Sequence, residues 1–116
     1  MTLREQQSKF ALMVAKLIIH AYELGYDGVT FGDAFRDPRL HGDFGVKKGY
    51  GAANSFHKKR LAIDLNLFKD GKFLSSTEDH RILGEWWESQ GGTWGGRFGD
   101  KGHPNRADGN HYSYLE

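Results

Sequence analysis

The chain contains no cysteine. That absence excludes a disulfide framework, a thiolate metal site and a cysteine nucleophile together, so any metal must be held by histidine and carboxylate. Long apolar runs are missing too. The N-terminal segment mixes charges with apolar residues at helical spacing, and its unbroken apolar stretches fall far short of a membrane span or the apolar region of a secretory signal. The expectation is a chain without a signal peptide or membrane insertion, made as a soluble cytosolic protein. Nor is there an excess of either charge: 16 Lys and Arg stand against 15 Asp and Glu, a net charge of +1, and no global basic field argues for nucleic acid. Internal repeats, linkers and low-complexity tracts are absent as well. One local asymmetry remains, because Lys47, Lys48, Lys58, Lys59 and Arg60 meet no acid within residues 47–60. A solvated loop explains most of them; the sharper reading is a basic rim for an anionic substrate.

With 116 residues, 38% hydrophobic and 14% aromatic, the chain can build one core and is too short for two ordinary domains, so residues 1–116 are read as a single domain. Thr2-x-x-Glu5 is a capping box, and Phe10, Met13, Val14, Leu17, Ile18, Ala21 and Tyr22 then recur at three and four residues until Gly25, which predicts an amphipathic helix. Asp27-Gly28 marks a turn, with strand segments expected at Val29-Thr30-Phe31 and Ala34-Phe35-Arg36. Residues 37–54, with Pro38 and four glycines, predict a long irregular loop of the kind often used for binding. Residues 61–68 alternate, Leu61, Ile63, Leu65 and Leu67 on one face and Asp64 on the other. Asp70-Gly71 is a hairpin signal, Ser75-x-x-Glu78 opens a second helix carrying Ile82, Leu83, Trp86 and Trp87, and Gly91-Gly92 closes it. Two short strands are expected at residues 94–98 and 110–115. The fold class is α+β, with helices packed on a small, mostly antiparallel sheet.

Two segments carry chemistry: Ser55 to Asp64, which holds His57, and Asp108-Gly109-Asn110-His111. A hydrolytic zinc ion takes three nitrogen or oxygen ligands and keeps a fourth position for water, whose pKa it lowers. His57, Asp64 and His111 can supply the three, and Asp108 a carboxylate that serves as general base. Strand parity sets conditions on this set. His57 and Asp64 are an odd number of residues apart, so a turn at Lys58-Lys59-Arg60 must intervene before they can share a metal. Asp108 and His111 likewise need the kink that Gly109-Asn110 provides. His103 competes for the third position, but its neighbours Gly102 and Pro104 favour an exposed turn, so His111 is preferred. His20, His41 and His80 read as structural or solvated. Core packing is the default for at least two of Trp86, Trp87 and Trp94, with Trp94 placed by position beside the metal as a lining residue. Ser55 reads as a local cap or a partner that orients a ligand.

The order Ser-x-His-x6-Asp, a tryptophan and glycine-rich stretch, and an acidic-x-x-His resembles the M15 zinc peptidases, and among them phage endolysins of the L-alanyl-D-glutamate peptidase type. Residues 31–36, 55–64, 86–98 and 108–111 carry the resemblance. It implies the α+β fold shared by D-Ala-D-Ala peptidases and hedgehog signalling domains, a zinc cofactor on His57, Asp64 and His111, Asp108 as the catalytic acid and base, and Arg36 as the group that stabilises the anion. It further implies a monomeric enzyme acting on stem peptides of bacterial peptidoglycan, released to the wall from the host cytoplasm when another protein permeabilises the membrane. Two departures stand out: Arg60 where relatives often place glycine, and Asp108 where some use glutamate. Arg60 is thereby a second candidate, with Arg36, for facing a substrate carboxylate. Open alternatives are a D-Ala-D-Ala carboxypeptidase or dipeptidase of the same fold, and a non-catalytic zinc-containing wall-binding module.

Overall fold

The computed structural model describes residues 1–32, 59–99 and 107–116. The expected strand segment at residues 34–36, the irregular loop at 37–54 and most of the polar loop before Asp108 lie outside the described residues.

The first helix, α1 (Leu3–Glu23), begins where its capping box says it should: the Glu5 amide donates to Thr2 Oγ1 and the Thr2 amide to Glu5 Oε1, both at 3.1 Å. Its apolar stripe buries Phe10, Met13, Val14, Leu17 and Ala21. After a turn, β1 (Gly28–Phe31) pairs antiparallel with β2 (Ala62–Lys69) in the register Gly28 to Phe68 and Phe31 to Leu65. The predicted alternation sets the faces of β2: Leu65 and Leu67 are fully buried in the core with Leu61 and Ile63, whereas Asp64 and Asn66 are only partly covered. Asp70 and Gly71 then take φ of 53° and 75°, positive at both central positions as a two-residue type I′ hairpin requires, and β3 (Lys72–Leu74) returns along β2.

The second helix, α2 (Thr77–Ser89), starts one residue later than expected. Ser76, not Ser75, is the cap, and its box closes on Asp79, with the Asp79 amide donating to Ser76 Oγ at 3.0 Å. Capping from Ser76 leaves the Glu78 carboxylate to pair with Arg81 at 2.7 Å. α2 buries His80, Leu83, Gly84 and Trp87; His80, a structural residue as expected, meets the Tyr112 hydroxyl through Nδ1 at 2.7 Å. The strand expected at residues 94–98 is corrected: β4 covers only Thr93–Trp94, and the chain then tightens into a 3-10 turn, Gly95–Arg97. The last strand, β5 (His111–Ser113), pairs antiparallel with β2 and with β4.

The sheet has five strands in the order β1-β2-β5-β4, with β3 also on β2, so the fold is α+β with a mostly antiparallel sheet. β2 is its spine. One edge carries β1, the other carries β5 along its first half and β3 along its second. Both helices pack on the leucine face around Leu17, Leu83 and Trp87, which leaves the face of Asp64 to chemistry.

The turn into β2 carries strain. Arg60 has φ of 57°, a left-handed conformation that costs a residue with a Cβ roughly 1–2 kcal/mol. Glycine, which has no Cβ, adopts it freely. Arg60→Gly is therefore expected to raise stability by about 1 kcal/mol in urea unfolding at unchanged m-value. Arg60→Ala, which keeps the Cβ, should show no such gain; an equal gain would place the effect in the side chain and not in the backbone.

Candidate metal centre

Asp64 and His111 are brought together by sheet register. They are directly opposed across β2 and β5. The flanking ladder bonds run from the Leu65 amide to the Asn110 oxygen and from the Tyr114 amide to the Leu61 oxygen, both 2.9 Å. Asp64 and His111 therefore occupy a non-hydrogen-bonded position of the antiparallel ladder, where opposed side chains approach most closely. His111 Nδ1 lies 3.4 Å from Asp64 Oδ1, and the side chains are 7% and 15% exposed.

Asp108 joins them from outside the strand. The His111 amide donates to the Asp108 oxygen at 3.1 Å, closing a turn over Gly109-Asn110, so the kink anticipated from parity is present. Asp64, Asp108 and His111 each offer one ligand atom, and these atoms all lie within 4.8 Å of one another. His111 is buried and Asp64 partly covered, whereas Asp108 is exposed to solvent.

Support for the turn comes from beneath it. The Trp94 indole donates to the Gly109 oxygen at 2.7 Å, and the Asp108 amide donates to the Gly95 oxygen at 3.0 Å. A Cβ on Gly95 would overlap the Asp108 main-chain oxygen and crowd the His111 Cβ, so only glycine lets the 3-10 turn lie this close. Trp94 is itself fully buried, with the guanidinium groups of Arg81 and Arg97 5.5 and 5.2 Å from its ring. Arg97 is tied to Glu88 at 3.0 Å and Glu85 at 3.3 Å on α2. Trp94, expected to line the cleft, instead supports the Asp108 turn and has no exposed face to offer a ligand. Arg60 borders a shallow groove with Gln7, Phe10, Ala11, Val14 and Ile63, on the helix side of the sheet and not on the face of Asp64. Arg36, Ser55, His57 and the competing His103 lie outside the described residues, as do Lys47, Lys48 and Lys58 of the basic rim.

One participant escaped the sequence reading. Glu116 Oε1 lies 2.7 Å from His111 Nε2, so the imidazole is held between two carboxylates. Burial works against a charged ring there, but hydrogen bonds to Asp64 and Glu116, with their negative charge, outweigh it and lift the His111 pKa to about 9. Electrostatically, the site is built to hold positive charge.

The donor set suits zinc. Two donors about 2.0–2.1 Å from one tetrahedral ion lie about 3.3 Å apart, close to the 3.4 Å between His111 Nδ1 and Asp64 Oδ1. Imidazole and carboxylate are ordinary zinc ligands, and with no cysteine in the chain they are the donors it has to use. A family model of the M15 peptidases, described as D-alanyl-D-alanine carboxypeptidase, matches residues 48–114. The chain belongs to the M15 peptidase family. The matched stretch spans positions 57, 64, 108 and 111 and leaves out α1, Arg36 and Glu116. No curated protein matches the chain.

Proposed function

We propose that this M15 peptidase is a zinc-dependent enzyme that cuts stem peptides of bacterial peptidoglycan, with the L-alanyl-D-glutamate bond as its target, and serves a bacteriophage as an endolysin. The observation that carries the reading is the meeting of Asp64, Asp108 and His111 in one place, partly covered at Asp64, buried at His111 and exposed at Asp108. His57, Asp64 and His111 would hold the metal. A zinc ion held there supplies Lewis acidity, which makes a bound water a nucleophile near neutral pH and polarises the scissile carbonyl. The Asp108 carboxylate takes the proton of the attacking water and returns one to the leaving amine nitrogen. Arg36 would offset the negative charge that develops on the carbonyl oxygen. A basic rim of Lys47, Lys48, Lys58 and Lys59 suits stem peptides, which carry free carboxylates.

The enzyme acts as a monomer, accumulates in the host cytoplasm and meets the wall once another protein has permeabilised the membrane. No helix among the described residues is long and apolar enough to cross a membrane.

A second reading has a specific observation behind it: the matching family model is described as a D-alanyl-D-alanine carboxypeptidase. A zinc-containing wall-binding module without turnover is disfavoured by Asp108, because a purely structural zinc needs no solvent-exposed carboxylate beside it. Metal analysis of the purified protein together with mass spectrometry of digested peptidoglycan separates the three. Stoichiometric zinc and fragments that begin at D-glutamate are the expected result. Release of terminal D-alanine would transfer the assignment to the carboxypeptidase, and zinc without any cleavage to the binding module.

A further inference from the structure

We infer that Glu116 is a positioning residue for the metal site, acting through His111: its carboxylate accepts the Nε2 proton and so fixes the tautomer that presents Nδ1 towards Asp64. The inference rests on the zinc reading above. Its geometry is explicit, with Nε2 2.7 Å from Glu116 Oε1 on one side of the ring and Nδ1 3.4 Å from Asp64 Oδ1 on the other. With a cation on the Asp64 side the ring has one proton left to place, and the carboxylate 2.7 Å from Nε2 holds it there, leaving the Nδ1 lone pair for the cation. Ligating histidines commonly depend on such a partner for ring orientation and basicity.

The backbone shows that this contact is built. Glu116 and His111 are an odd number of residues apart, and a continuing strand would send them to opposite faces. Leu115 departs from the extended path by adopting φ of 69°, a conformation costly to a residue with a Cβ, while the residue remains 51% exposed. Neither feature favours Leu115, yet with the backbone in this conformation the Glu116 carboxylate meets His111. The Thr93 hydroxyl then donates to the Glu116 main-chain oxygen at 3.0 Å and secures the return on β4.

The test is zinc affinity of the metal-stripped full chain, measured by competition with a chromophoric chelator, for the parent, Glu116→Ala and Glu116→Gln. Loss of such a partner typically costs 10–100-fold in metal affinity, so Glu116→Ala is expected to weaken zinc binding by about that factor. Glu116→Gln, whose amide oxygen still accepts from Nε2, should recover most of it. Metal-free Glu116→Ala is expected to melt somewhat below the parent, because the 2.7 Å contact with His111 is lost, so zinc affinity is compared only on preparations that are folded at the temperature of the titration. Equal affinity of parent and Glu116→Ala overturns the positioning role and leaves the zinc reading standing. Equal losses in the alanine and glutamine variants would also overturn it, making Glu116 a ligand or a source of charge alone. A parent that binds no zinc overturns both readings.

Discussion

Asp108→Asn is expected to bind zinc nearly as well as the parent and to turn over stem peptides about 10²–10⁴-fold more slowly, the usual contribution of a positioned acid or base. The asparagine amide keeps the size of the side chain and cannot accept the water's proton. The backbone should tolerate the change, because the Asp108 turn is made by main-chain bonds, from the His111 amide to the Asp108 oxygen and from the Asp108 amide to the Gly95 oxygen. Three carboxylate and imidazole groups within 4.8 Å of one another leave two assignments for Asp108, base or ligand, and this substitution separates them. Zinc content and steady-state hydrolysis measured on the same preparation decide it. Parallel loss of metal and turnover would make Asp108 a ligand.

The opposite pattern is expected for the residues paired across the sheet. Asp64→Ala and His111→Ala should each lose zinc on dialysis and fall to background activity, since either removal leaves the remaining donors short of a site. His57→Ala, at a position outside the described residues, is expected to behave the same way. Far-ultraviolet circular dichroism should stay near that of the metal-free parent, because the ladder bonds flanking Asp64 and His111 are made by Leu61, Leu65, Asn110 and Tyr114 main chains. Full zinc retention in His111→Ala, with His103 newly required, would move the third ligand into the preceding loop.

How much of this was legible in the sequence depends on the range of the interaction. Elements governed by neighbours within four residues could be read directly: the Thr2 and Glu5 box, the apolar stripe of α1, the alternation of β2 and the Asp70-Gly71 turn. The kink between Asp108 and His111 followed from parity, which is also a local rule. The second cap was misplaced because Ser75 and Ser76 each precede an acid by three residues, and only the Arg81 pairing with Glu78 separates them. Residues 95–97 were read as strand because their glycines carry no pattern; a close approach to Asp108 from another element curls them into the 3-10 turn. Trp94 was assigned to the cleft from its place in the chain, whereas burial beneath two arginines is a tertiary fact. Glu116 left no signal, since its role depends on a left-handed leucine that no propensity favours.

The buried pair of His80 and Tyr112 sets an acid limit on the fold. Burial holds the His80 ring below its ordinary pKa, against a hydrogen bond to the Leu74 main chain and the charge of Asp79. An unfolded chain takes up a proton at this residue near pH 6.5, whereas the folded chain resists it. The associated stability is therefore whole above about pH 6.5 and drains away as the pH drops towards the depressed folded value. Urea unfolding between pH 7 and pH 5 should show a shallower decline for His80→Gln than for the parent, and identical slopes would assign the acid sensitivity elsewhere. A protein with this interior is suited to neutral surroundings and poorly to acidified ones, whatever its catalytic groups tolerate.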